Sequence, residues 1–288
     1  MNSPRDLRRR IKSITSTAQI TRAMQMVAAS KMRKSQDAAT AGRPFVRMLY
    51  RIHLAAIKRK LEFHHPLLEV RPVRKRAVIL IAADKGLCGS LNTNVFRLAS
   101  DFDPETTLFI TAGRMAAQFV ARTRRKLVAE FVYHSSPEYR EARAIAACAQ
   151  DLFLKKEVDE VLIVATRFVN TLTQVPLTLE FLPVGEIKGL KFPWASPEEE
   201  KETLTGEILF EPSAEEILAF LLSFYCDIYV YQTLLNSKAS EQSARMVSMK
   251  NATDNADSLI RQLTLEYNKL RQSNITNELL EIAGGQAG

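Results

Sequence analysis

Between Pro212 and Gly284 the chain has no glycine and no proline, a gap of 71 residues (213–283) in a total of 288. That absence removes the residues that normally punctuate a chain with turns. At 1.5 Å per residue, one helix of this length reaches about 105 Å, whereas a compact globule of this size is only about 50 Å across. A helix this long has to leave its own domain and lie against something else. A second gap, Arg5 to Ala41, is equally free of glycine and proline.

Other absences narrow the function. The three cysteines, Cys88, Cys148 and Cys226, are far apart and show no CxxC spacing, which argues against a disulfide framework or a zinc site and fits a reducing cytosol. The four histidines (His53, His64, His65, His134) form no HExxH or similar ligand set. No apolar run approaches the roughly 18 residues expected of a membrane span. The basic start is followed by periodic apolar residues interspersed with charge, which does not read as a signal peptide. Acid is scarce at the N-terminus: residues 1–34 hold nine Lys or Arg and one Asp, a net of +8 that equals the net charge of the whole chain. The basic character therefore belongs to one segment, which suits nucleic acid, an anionic membrane or an acidic protein surface.

Periodicity supplies the elements. Ile217, Leu221, Phe224, Ile228, Tyr231 and Leu235 advance by alternating steps of four and three. After a phase slip near Ala239, Met246, Met249, Thr253, Ala256, Ile260, Leu263, Tyr267 and Leu270 continue the pattern. This 3.5-residue period is that of a left-handed coiled coil, and Gly284-Gly285 is a plausible stop. At the other end, Ser3-Pro4-Arg5-Asp6 reads as a capped helix start. Leu7, Ile11, Ile14, Ala18, Thr21, Gln25, Ala28 and Met32 form a matching stripe that thins toward small and polar residues. Pairing the two terminal helices antiparallel closes a two-stranded coiled coil from opposite ends of the sequence.

The middle reads as α/β. Strands are expected at 77–83, 107–111, 127–132, 158–165 and 178–184, with helices at 115–122 and 137–156, implying a largely parallel sheet with helices on its faces. Residues 186–208 read as a surface loop or short hairpin. The expected boundaries are 1–60 for the N-terminal helix, 61–76 for a basic linker, 77–208 for the α/β domain and 209–288 for the C-terminal helix. After the first strand comes DKGLCGSLN (84–92), where nucleotide loops sit in many folds. It has neither P-loop nor GxGxxG spacing, so it reads as a turn or contact loop. No catalytic residues, metal or cofactor are expected.

Three segments also resemble the gamma subunit of the F-type ATP synthase: IKSITSTAQITRAMQMVAASKMRKSQ (11–36), DKGLCGSLN (84–92) and ASEQSARMVSMKNATDNADSLIRQLTLEYNKLRQSNITNELLEIAGG (239–285). The chloroplast type's transit peptide and closely spaced cysteine pair are missing, which points to a bacterial-type subunit. The resemblance implies a long antiparallel coiled coil with a Rossmann-like α/β domain inserted between its helices. It implies a non-catalytic rotor shaft inside a ring of alpha and beta subunits, with the epsilon subunit and the c-ring of the membrane sector below. The shaft couples proton flow to ATP synthesis and hydrolysis in the beta subunits, at the cytoplasmic face of the bacterial inner membrane. By the same resemblance, Arg271, Gln272 and Thr276 contact the beta subunits near the C-terminus, and Met24, Lys85 and Cys88 lie where the beta subunits' acidic loops pass. Two other classes stay open on the residues alone: a basic coiled-coil nucleic-acid binder, whose affinity would fall with salt, and a small-molecule enzyme using the α/β domain. The lack of aromatics in residues 1–34 weighs against the first.

Overall fold

A computed structural model describes residues 3–42, 64–133, 136–184 and 214–285. The expected boundary at 60/61 and the loop or hairpin at 186–208 lie outside the described residues. The chain divides into two compact units, residues 1–29 with 245–288, and residues 30–244.

The first helix, α1, spans Pro4–Ala41. It starts as its sequence dictates: the backbone N–H of Asp6 donates to the Ser3 hydroxyl (3.2 Å), and that hydroxyl donates to the Asp6 carboxylate (2.9 Å). The Ser3 hydroxyl, helped by Arg9, holds the Asp6 carboxyl below its ordinary pKa. The last helix, α5, is one uninterrupted element, Ala214–Gly285, of 72 residues. The two run antiparallel. A Cβ at Gly42 would meet the side-chain amide of Gln232, and the Thr21 and Thr253 hydroxyls touch.

In the unit formed by the two chain ends, the thin seam forms as expected. Leu7, Ala18, Thr21 and Ala28 of α1 and Met249, Thr253, Ala256 and Leu263 of α5 are buried. The Thr21 and Thr253 hydroxyls lie 2.7 Å apart at its centre. One exposed ion pair, Arg22 to Asp257 at 3.0 Å, flanks them.

The other unit holds a five-stranded sheet in the order β3-β2-β1-β4-β5. Its strands are β1 (Arg76–Ile81), β2 (Thr107–Ala112), β3 (Lys126–Phe131), β4 (Glu160–Phe168) and β5 (Gln174–Leu182). The pairs among β1 to β4 are parallel, and β5 lies antiparallel on β4. Period-two alternation sends Ala77, Ile79 and Ile81 to one face and Val78, Leu80 and Ala82 to the other. On the first face pack α4 (Tyr139–Leu154) and the early turns of α5; on the second pack α2 (Leu91–Ser100) and α3 (Arg114–Arg122). The segment ahead of β1 is more than a basic link. A 3-10 turn at Pro66–Leu68 buries Leu67 in the core, and the Arg71 guanidinium lies 4.7 Å from the centre of the Phe153 ring.

One expectation is corrected. α5 does contain a stretch long and apolar enough, by length and composition, to cross a membrane. Most of that stretch (61 %) is buried within the protein, where Leu222, Tyr225, Cys226, Tyr229, Val230 and Leu234 join the sheet's core. The phase slip near Ala239 has the same origin. From Tyr225 to Leu235 and again from Ser237 to Arg245 nearly every residue is buried, so this part of α5 is a core helix enclosed on all sides. Only after Met246 does burial narrow to the one-sided stripe of a coiled coil.

Candidate partner interface

Of the six residues singled out from sequence, three lie on the last part of α5. Continuing the antiparallel register, in which paired positions sum to 274 (21 and 253), the first helical residue Pro4 falls opposite Leu270. Beyond that point α5 has no facing α1 residue, and 271–277 are exposed without exception. Arg271, Gln272 and Thr276 belong to this segment. The Thr276 hydroxyl donates to the Gln272 carbonyl one turn back (2.9 Å), which fixes its orientation on the helix face. Exposed Ile275, Leu279 and Leu280 accompany them, giving a mixed apolar and polar tip. Exposed apolar side chains gathered on one element make this tip a candidate contact surface.

Met24 is half-buried at the edge of the seam, beside exposed Ile20, Met26 and Val27. Arg5, Arg8, Arg9, Arg10 and Lys12 are exposed on the same helix. The outward side of α1 is therefore both basic and apolar.

The remaining two residues lie in the loop after β1, which is pinned from beneath. The Asn92 side-chain oxygen accepts the Ala83 N–H (3.1 Å), and the Asp84 carboxylate accepts the Arg114 N–H (3.2 Å). Gly113, with φ +98°, lets the start of α3 press against this base, since a Cβ there would land on the Ala82 carbonyl. The tip turns through left-handed backbone at Leu87 (φ 62°) and Gly89 (φ 61°). A leucine in that region is strained, and Leu87 is 63 % exposed. Lys85 is also exposed. Cys88 is the exception: it is 2 % exposed, and its sulfur accepts from the Asn92 amide at 3.6 Å. The resemblance put Cys88 among the partner contacts, whereas in the structure its side chain lies inward against Ala83, Leu91 and Ala244. Lys85 and Leu87 are the residues this loop presents.

The same region explains why the α/β domain offers no nucleotide crevice among its described residues. In doubly wound sheets a ligand enters at the carboxyl ends of the two strands where the order reverses, here β1 and β4. In this chain α5 fills that place. The Ser237 and Ser240 hydroxyls donate to the Thr166 carbonyl at the end of β4 (both 3.4 Å), and Ser243 donates to the Thr171 carbonyl (2.8 Å). Ala244 closes over Ala83 and Cys88 at the end of β1.

Sequence reasoning missed one cluster here. Lys238, 3 % exposed, lies 2.9 Å from the Glu241 carboxylate and 3.8 Å from that of Asp84. Its ammonium is 5.0 Å from the centre of the Tyr133 ring, and the Tyr133 hydroxyl donates to the Ala82 carbonyl (3.2 Å). Burial, with the nearby Glu241 and Asp84 charges, raises the Tyr133 pKa far above its ordinary value, so the phenol stays a donor. Lys238 and Glu241 take no role in the reading from sequence, which notes only the phase slip near Ala239 that lies between them.

The fold and these surfaces define a coiled-coil protein with an inserted α/β domain, whose exposed features are helix faces and a loop. Residues 3–288 match the family model described as ATP synthase. The chain is 43 % identical over 290 residues to the ATP synthase gamma chain of Opitutus terrae, covering 99 % of this chain and 98 % of that one. It is 42 % identical to that of Methylacidiphilum infernorum, with 99 % of each covered. The chain belongs to the ATP synthase gamma chain family. Among solved structures, it is similar to a chain of the Tetrahymena thermophila mitochondrial ATP synthase central stalk and c-ring, with a TM-score of 0.58 and 26 % identity, over 81 % of this chain and 99 % of that one. A chain of the Euglena gracilis mitochondrial ATP synthase in rotational state 3 shares the fold at a TM-score of 0.68 and 20 % identity, over 99 % of this chain and 93 % of that one.

Proposed function

We propose that this chain is the central rotor shaft of a bacterial F-type ATP synthase. The observation that carries this reading is the end-to-end likeness to gamma chains, 43 % identical over 99 % of the chain. The coiled coil of α1 and α5 stands inside a ring of three alpha and three beta subunits, and the α/β domain rests below against the epsilon subunit and the c-ring. The thin seam suits a shaft: small residues hold the helices together while the exposed, basic and apolar outer faces meet sleeve and bearing. The basic α1 is attracted to acidic loops of the beta subunits, a contact that salt screens and that is not by itself a torque.

Coupling follows from symmetry. One coiled coil cannot present the same face to three beta subunits, so at each instant it holds their catalytic sites in three different conformations. Proton-driven rotation of the c-ring changes which site is closed, loose or open. The chemistry stays in the beta subunits and the shaft transmits the motion, with the Arg271, Gln272 and Thr276 tip, Met24, Lys85 and Leu87 as contact points. The complex sits at the cytoplasmic face of the inner membrane. The nucleic-acid alternative has no observation in its favour. Affinity purification of the tagged chain from its own cells tests the reading: alpha, beta and epsilon subunits should co-purify with ATPase activity. A preparation containing nucleic acid and no ATPase subunits would overturn it.

A further inference from the structure

The loop that carries Lys85 and Leu87 is strained at its tip, and something has to hold it. Ordinary loops relax a leucine out of the left-handed region, because its Cβ crowds the backbone there; such conformations persist where the surroundings over-determine them. Among the restraints are Asn92 to Ala83 and the Arg114 N–H to Asp84. Another comes from a residue 154 positions away, Lys238 against Asp84. Lys238 is a costly residue to bury, and it lies where α5 passes the end of β1. Its ammonium is shared between Glu241 on its own helix, one turn on, and Asp84 at the root of the loop, with the Tyr133 ring completing the enclosure.

We propose that Lys238 is a positioning residue, an ionic latch that fastens the Asp84–Ser90 loop to α5, so that the loop tip moves with the shaft helix as one body. Glu241 orients the ammonium from α5, and Asp84 receives it from the loop. Tyr133 fixes the wall of the enclosure through its bond to the Ala82 carbonyl. Without the latch, the domain keeps its core, since none of the four side chains belongs to the two faces of the sheet except Tyr133. What is lost is the stiffness between loop and helix. Under load a loose tip yields before it pushes its partner, so ATP turnover continues while less of it is converted into ion movement. This last consequence rests on the rotor reading; the latch does not.

The test uses the assembled enzyme in membrane vesicles. Leu87→Cys, in a background where half-buried Cys148 is replaced by Ser, carries a nitroxide whose spectrum reports tip motion. Lys238→Met alone leaves two carboxylates facing each other and risks misfolding, so the principal variant is K238M/E241Q, which removes the charge from both sides of the pair. Lys238→Arg is the rescue. The nitroxide spectrum should narrow in K238M/E241Q and return to its parental width in K238R. Protons pumped per ATP hydrolysed should fall by about twofold or more in the double variant, as expected when a contact surface loses its pre-organisation, and recover in K238R. A spectrum in K238M/E241Q as broad as the parent's overturns the latch. A narrowed spectrum with an unchanged pumping ratio upholds the latch and counts against the loop's part in coupling.

Discussion

The pair of hydroxyls at the centre of the coiled coil gives a sharp test of the seam. The Thr21 and Thr253 oxygens are 2.7 Å apart, and each also lies within reach of a carbonyl on its own helix, Ala18 at 3.1 Å and Met249 at 2.9 Å. Two hydroxyl protons therefore serve three contacts: one donates to its own helix and the other crosses the seam. Replacing either threonine by valine removes the crossing bond, at a cost of about 1 kcal/mol. The partner keeps its own-helix carbonyl, so no buried donor is orphaned. The added methyl returns up to about 0.8 kcal/mol of apolar burial, and each single variant is destabilised by a few tenths to about 1 kcal/mol. In the double variant the bond has already been lost, while both methyls now touch across the seam, so the sum comes back to the parent's stability or slightly above. The two substitutions should thus be non-additive by about 1 kcal/mol. The assay is native-state cleavage by trypsin at the exposed basic residues Arg8–Lys12 of the full chain, where rate follows the population of opened helix and each 1.4 kcal/mol is about tenfold. The single variants should be cut up to about fivefold faster and the double variant at about the parent's rate. Cleavage rates that simply multiply from the single variants to the double would show that the hydroxyls do not meet.

Four further outcomes follow from burial and charge. Cys88 and Cys226 are buried while Cys148 is half-buried, and burial pushes the Cys226 thiol far up, so a thiol reagent should modify one cysteine per native chain and all three after denaturation. For the same reason mild oxidant and reductant should leave the ATPase rate of the assembled enzyme equal, and a reversible change traced to this chain would contradict that. Replacing Arg271, Gln272 and Thr276 together by Ala should leave the melting temperature of the chain unchanged, because all three are exposed. It should weaken assembly and coupled turnover, by about 1.5–3 kcal/mol for each lost bond to a charged partner group; full proton-coupled synthesis would show a merely solvated face. Finally, the Asp159 carboxylate accepts the Lys75 and Arg74 N–H groups (3.0 and 2.9 Å), and these two bonds hold its pKa below the ordinary value. A depressed folded pKa stabilises the fold above the unfolded value and loses that contribution as pH falls through the folded one. Asp159→Asn should therefore melt lower than the parent at neutral pH. The gap should close as pH drops below the ordinary aspartate value of about 3.9, and a gap that persists in acid would exclude the ionised carboxylate as its source.

The helices were legible because their signals are local. Ser3-Pro4 marks one start, the absence of glycine and proline guarantees continuity, and Thr21, Thr253, Ala28 and Ala256 fall on the stripe that the structure buries. The parallel sheet was legible from apolar runs such as Ala77–Ala83, which a buried strand needs on both faces. What stayed hidden depends on packing between distant segments. In the first half of α5 the stripe read from sequence is only partly the buried one: Ile217, Leu221, Phe224 and Tyr231 are half-buried, while Leu218, Leu222, Tyr225 and Tyr229 are buried, and no period in the sequence says so. Lys238 and Glu241 look like a surface pair one turn apart; only the fold carries Asp84 to them. Cys88 entered the contact set through the resemblance alone; the structure buries its side chain against Ala83, Leu91 and Ala244, beside left-handed Leu87.

Rotation itself is tested most directly by tying the shaft to the ring. The exposed Leu87, and not the buried Cys88, is the place to do it. Leu87→Cys and a cysteine introduced into the acidic loop of one beta subunit, which the proposed function sets beside it, should form a disulfide where their backbones approach to bonding geometry. That bond permits rocking but no full turn. Multi-turnover ATP hydrolysis and ATP synthesis should both stop in the cross-linked enzyme, and reduction should restore both. Normal turnover in a fully cross-linked complex would make this chain a static spacer and contradict the shaft.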